Sequence, residues 1–186
     1  MVCVITDAVV NGDFEQGAVG FTSDYIEVPM GVAINGETQF TVASNPATVS
    51  IWNWASFGDY TTGHGLMLIA NGATAPGLAV WRETVQVQPQ TTYTFSFCAA
   101  GVDPVPSGAS LQGLVGGIAV GAALTVSPTP GAWTCVSATW PSGTDTTTSL
   151  SIIDLNVAAL NNDFALDHVT FDGCQTPPAA STGTAL

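Results

Sequence analysis

Residues 45–65 of this 186-residue chain concentrate Trp52, Trp54, Phe57, Tyr60 and His64 among small polar residues. Flat aromatic faces stack on sugar rings, and neighbours such as Asn53, Asp59 and His64 offer hydrogen bonds to hydroxyls. Trp52 and Trp54 stand at i and i+2, so they share a face if the stretch is extended. The competing reading is core, because tryptophan is mostly buried and Ile51 precedes the pair like a strand entering a sandwich. At least one exposed aromatic is expected here. Acid–base chemistry finds less to work with. His64, in Thr62-Gly63-His64-Gly65, and His168, beside Asp167, are the two histidines. No G-x-S-x-G or H-E-x-x-H spacing occurs. No spacing shows two carboxyls facing one cleft at ~5–10 Å, as a glycosidase requires. The chain is therefore expected to be no enzyme, with His168 a surface or interface side chain.

The elements that must position these groups are strands. Residues 92–99 alternate with Tyr93, Phe95 and Phe97 on one face, and residues 133–140 with Val136, Ala138 and Trp140. Residues 79–88 and 150–155 read the same way, and residues 163–172 form a last strand ending at Gly173. Gly116-Gly117 between residues 111–115 and 118–126 is a hairpin signal. Asn11-Gly12, Asn35-Gly36, Asn71-Gly72 and Pro141-Ser142-Gly143 mark further turns. Residues 45–65 read as a long loop with one short strand. No window carries a 3.6-residue apolar period. About ten strands at turn spacing predict an all-β jelly-roll sandwich of two antiparallel sheets. It forms one domain over residues 1–173, and residues 174–186 are a Pro/Ala/Ser/Thr tail, flexible or an arm lying on a neighbour.

Composition narrows the partners. One Lys+Arg against 14 Asp+Glu gives a net charge of −13, and Arg82 is the sole permanent cation. A phosphate backbone or an anionic lipid surface finds no basic patch, so neither nucleic-acid binding nor membrane association by charge is expected. The longest apolar stretch, residues 111–126, is too short and Gly-rich to span a bilayer. The chain is nevertheless no disordered acid: apolar residues make up 46% and mean hydropathy is +0.37. Charged residues make up only 8%, so Thr, Ser, Asn and Gln form much of the wet surface, which suits an extracellular setting. No signal peptide is visible at the N-terminus, so a leader has been removed or the protein leaves its cell without one.

Cysteines stand at 3, 98, 135 and 174, with no C-x-x-C. Cys3–Cys174 is favoured because the ends of a jelly roll often run side by side. That leaves Cys98–Cys135 to join two mid-chain strands. Four buried free thiols are the alternative, less in keeping with an oxidising compartment.

Six segments, in order, resemble one family. They are Val9-Val10-Asn11-Gly12-Asp13-Phe14-Glu15-Gln16-Gly17, Gly20-Phe21-Thr22-Ser23-Asp24-Tyr25, Ser56-Phe57-Gly58-Asp59-Tyr60-Thr61-Thr62-Gly63, Met67-Leu68-Ile69-Ala70-Asn71-Gly72, Thr92-Tyr93-Thr94-Phe95-Ser96-Phe97 and Asp163-Phe164-Ala165-Leu166-Asp167. The chain resembles the galactose-binding-like jelly rolls of the carbohydrate-binding-module type, nearest the version in bacterial surface proteins with PEP-CTERM sorting tails. The sorting tail is absent, and His168 stands where the family often has a second Asp. The resemblance implies a non-catalytic module with a structural calcium ion. Matched by position, Asp13, Glu15 and Asp167 are its candidate ligands. Phe14 pointing inward sends Asp13 and Glu15 the other way. Asp167 shares parity with Val169 and Phe171 and so faces inward unless a bulge intervenes. Asp13 as a turn residue and Asp167 satisfied by backbone N–H groups are the competing readings.

Two functions follow. The first is a structural subunit of an extracellular assembly: a surface layer, a filament, or a virion decoration or fibre protein at a cell or virion surface. Its partners are copies of itself or other surface or capsid proteins. The alternative is a calcium-stabilised module that binds glycans. The sequence leans to the first.

Overall fold

The computed structural model describes residues 4–175. Twelve strands occur among them: β1 (Val4–Asp7), β2 (Ile26–Glu27), β3 (Gln39–Ala43), β4 (Met67–Asn71), β5 (Ala79–Gln86), β6 (Thr92–Gly101), β7 (Ser110–Val115), β8 (Ile118–Ala119), β9 (Leu124–Thr125), β10 (Thr134–Pro141), β11 (Thr147–Asp154) and β12 (Phe164–Gln175). They form two sheets, the jelly-roll sandwich expected. The larger runs β10-β6-β12-β4-β3-β2, with β1 also paired to β12; the smaller runs β5-β11-β7-β8, with β9 also on β7. The pairings are antiparallel with one correction to expectation: β2 and β3 are parallel, Ile26 facing Gln39. β12 runs to Gln175, two residues past the expected end of the domain at Gly173, and residues 176–186 lie outside the described residues.

Alternation builds the core between the sheets. On β6, Tyr93, Phe95 and Phe97 are buried inward. Tyr93 stacks on Phe171 of β12 at 4.7 Å, and Phe95 lies 6.4 Å from Trp81 of β5, across the sandwich. On the edge strand β10, Val136, Ala138 and Trp140 are half-buried and alternate with exposed residues. Gly116 and Gly117 close the β7–β8 hairpin with φ values of 60° and 78°. Two successive positive φ values suit the tight hairpin turn whose twist matches its strands. The expected strand over residues 118–126 is in fact two short ones, β8 and β9, each paired with β7.

A second, smaller core lies on the outer face of the large sheet. Met67, Ile69 and Ala165 point outward there and are covered by Val28, Ile34, Val49 and Trp54. The covering layer includes residues 45–58. That segment holds no strand, contrary to the sequence reading. It carries a single 3-10 turn, Pro46–Thr48, capped by Asn45, whose Oδ1 accepts Ala47 N at 3.0 Å. Ala55 N donates to Val102 O at 2.8 Å and ties the layer to the end of β6.

Cys98 and Cys135 form a disulfide at directly opposed positions of β6 and β10, Cα to Cα 4.0 Å. No cysteine is free among the described residues, Cys174 included. Cys3, its expected partner, lies outside them.

Several buried acids shape the pH response, and two of them, Glu83 and Asp154, lie outside the groove described below. Glu83 accepts Val10 N at 3.1 Å, and burial pushes its carboxyl up to about 7 against those hydrogen bonds. Asp154 accepts Asn156 N at 3.0 Å, and burial pushes it up to about 6. Both folded values lie above the unfolded ones. The folded state therefore binds more protons across that window, and stability falls as pH rises through it. Asp24 acts the other way: its hydrogen bonds from Arg82 hold it low, so its contribution is lost only under strong acid. At about 1.4 kcal/mol per unit, Glu83 and Asp154 imply a melting temperature of order 10 °C higher at pH 5 than at pH 8. Glu83→Gln should reduce the slope of the profile and raise the pH 8 value, while Asp154 and Asp163 keep the remainder. A level profile by calorimetry would remove this account.

Candidate functional site

The structure divides the predicted aromatic group. Asn53 takes φ 44°, which turns the chain between Trp52 and Trp54. The two rings lie 6.0 Å apart, but they do not share the face of a strand. Trp54 is 3% exposed and belongs to the outer core; Trp52 is 39% exposed. Trp52 walls a groove of about 320 Å³ with Val105 and Leu160, and Glu37, Asp103 and Asp163 supply its polar side.

Strand ends gather this groove. Asp103 follows β6, Asp163 precedes β12 and Glu37 precedes β3. Those three strands reach the same end of the large sheet, because β6 and β12 pair from Gly101 opposite Phe164 and β3 is two strands further along. Asp163 Oδ1 accepts Gly72 N at 3.0 Å, and Asp163 N donates to Asp103 Oδ2 at 3.4 Å. Burial, and then the neighbouring Asp103, push Asp163 up to about 8. Burial also raises Asp103 and Glu37. The two carboxyls lie close enough to raise each other's cost of ionisation, so burial and like charge together favour protonation of Asp163. Glu37 Oε2 is buried with no hydrogen-bond partner. The buried indole N–H of Trp54 makes no hydrogen bond of ordinary geometry, yet it lies close enough to Asp103 to favour the ionised form.

The other predicted residues collect elsewhere. Phe57 is half-buried edge-on to Trp133 at 6.0 Å, and Trp133 Nε1 donates to Gly58 O at 3.2 Å. Tyr60, 45% exposed, packs on Trp133 at 6.0 Å and on His168 at 5.5 Å. His64 is exposed in its turn, and neither it, Phe57 nor Tyr60 lines the groove.

The expected calcium ligands do not assemble as a set. A bulge does intervene in β12. Its register shifts between Asp167 and Thr170, with His168 at φ 55°. Asp167 therefore faces the outer side with Ala165, while Val169 and Phe171 face inward, which corrects its parity. Asp167 is fully buried: Oδ2 accepts Thr61 N at 2.9 Å and Thr61 Oγ1 at 3.0 Å, and Oδ1 accepts His168 N at 2.8 Å. Glu15 Oε1 accepts Leu66 N at 2.8 Å and fills the space a Cβ on Gly65 would need. Asp59, missed as a structural acid, accepts Thr62 N at 2.7 Å, Gly65 N and Thr62 Oγ1. Burial of Asp59 is outweighed by those bonds, which hold it low. Asp13 instead faces a separate polar hollow of about 410 Å³, shared with Asp7, Asn11, Gln16, Thr61 and His168. Glu15, Asp59 and Asp167 thus staple residues 59–66 through N–H and O–H donors. Calcium needs six to eight oxygens. No three His, Cys, Asp or Glu side chains converge as a metal group among the described residues, and Asp167, Asp59 and Glu15 Oε1 accept N–H and O–H donors of the chain. The melting temperature is expected to be equal with and without EDTA; a fall of several degrees would replace the staple by an ion.

No family model matches the chain, and no curated protein matches it. Solved structures do. The CBM22-1 xylan-binding domain from Paenibacillus barcinonensis Xyn10C aligns at TM-score 0.56 and 15% identity, over 89% of this chain and 93% of that one. The tandem CBM22-1-CBM22-2 domain of the same protein aligns at 0.55 and 15% identity, over 92% and 46%. An apo-form cyclase from Fischerella sp. aligns at 0.54 and 13% identity, over 91% and 96%. At such identities the likeness establishes the fold, which a xylan-binding domain and a cyclase share.

Proposed function

We propose that the chain is a non-catalytic, extracellular carbohydrate-binding module that takes its sugar in the Trp52 groove. The observation that carries this reading is that the part-exposed indole of Trp52 lines one groove with the buried carboxyls of Asp103 and Asp163. A ring stacks on the indole, and its hydroxyls donate to the carboxyl oxygens. The likeness of the fold to a xylan-binding domain supports glycan binding over the assembly-subunit reading. The Cys98–Cys135 bridge supports an oxidising setting. No helix among the described residues is long and apolar enough to cross a membrane. The reading has no need of a virion, a capsid partner or a sorting-tail protein, none of which has an observation behind it.

The test is affinity electrophoresis through gels containing neutral or amino polysaccharides. Retardation by at least one is expected, with a loss of tenfold or more in Trp52→Ala at an unchanged melting temperature. Retardation by none, or equal retardation of the variant, would overturn the reading.

A further inference from the structure

Resting on that reading, we infer that the groove selects sugars bearing a free ammonium group, glucosamine-type oligosaccharides, over neutral and acidic ones. The groove presents three carboxyls, Glu37, Asp103 and Asp163, and no cationic side chain. The chain's single arginine is committed elsewhere: Arg82 Nη2 lies 2.9 Å from Asp24 Oδ2. Asp103 and Asp163 are 7% and 8% exposed, so water does little to offset their charge. Glu37 Oε2, buried, is an acceptor with no donor among the described residues. A buried carboxylate is stable only with a cation or several donors beside it. An ammonium brings a positive charge, which the groove lining lacks, and three N–H donors, of which one can reach the unpartnered Glu37 Oε2. It would let both aspartates ionise, where burial and like charge now favour protonation of Asp163. A neutral sugar offers hydroxyl donors without the charge. A uronate or sulfated sugar meets an acidic groove in a chain of net charge −13 and is disfavoured by like charge. Trp52, Val105 and Leu160 supply the apolar wall for the ring carbons, so recognition is more than attraction of opposite charges.

The experiment is isothermal titration of the whole chain at pH 6 and ordinary salt. The probes are a glucosamine tetramer, its N-acetylated counterpart, a xylose tetramer and a galacturonate tetramer. The glucosamine tetramer is expected to bind at least tenfold more tightly than the neutral probes, and the galacturonate most weakly. Asp103→Asn should cut the preference to threefold or less, and Glu37→Gln, a change at a part-exposed turn, should reduce it without threatening the fold. Trp52→Ala should abolish binding of every probe. If neutral sugars bind as well as the amine, or better, the class preference falls and the glycan reading stands. If no probe binds and no polysaccharide retards the chain, both fall. If Trp52→Ala binds the glucosamine tetramer unchanged, the binding is attraction to the acidic surface and the proposal is overturned.

Discussion

Replacing Cys98 and Cys135 together with alanine should lower stability by about 4 kcal/mol, the largest effect expected of any change outside the cores. The bridge closes a separation of 37 residues. Chain-entropy reasoning gives about 4 kcal/mol at 25 °C for a loop of that length, against a denatured chain freed of its cross-link. The native side of the balance points the same way. β10 is an edge strand whose inward side chains are only half-buried, so the bridge to β6 holds what packing holds weakly. At two to four degrees per kcal/mol, the melting temperature should fall by about 10 °C. The hydrogen-exchange protection of β10 should fall before that of β12, whose neighbours lie on both sides. A double variant within about 1 kcal/mol of the parent would show that β10 stays docked without its bridge.

Trp54 and Trp52 should give opposite results, although one residue separates them. Trp54→Ala removes the largest side chain of the outer core, against Met67, Ile69 and Ala165, and should cost about 3–5 kcal/mol. Trp52→Ala removes an indole that is 39% exposed and should leave stability within about 0.5 kcal/mol. Urea unfolding of the two variants separates them cleanly. Equal costs would mean that the layer formed by residues 45–58 is held as one unit and that Trp52 belongs to it.

The fold was legible where alternation was regular. β10, the later part of β5 and the first half of β6 announce themselves by period-two burial, and Gly116-Gly117 announces its turn. Strands buried on both faces were not legible. β4, Met67–Asn71, is apolar on both sides because the outer core covers it, so it shows no alternation. The same cover accounts for residues 45–58, whose aromatics mixed a core residue with a surface one in a single apparent cluster. Of the groove, only Trp52 was marked. Asp103, Asp163 and Glu37 lie 126 positions apart at their extremes, and only the pairing of β6, β12, β4 and β3 brings them to one end of the sheet. The parity of Asp167 was right for an unbroken strand, and one residue in a left-handed conformation reversed it.

The place of β12 in both sequence and sheet has a consequence for how the molecule is made. The last strand of the fold lies between β6 on one side and β4 and β1 on the other. Until residue 175 has left the ribosome, the large sheet is two unjoined halves, and β1, the first strand made, has no partner. The sandwich therefore closes only once β12 is available, by contacts remote in sequence, which is slow. A chain whose central strand arrives last stays open, and so deformable, for as long as that strand is withheld.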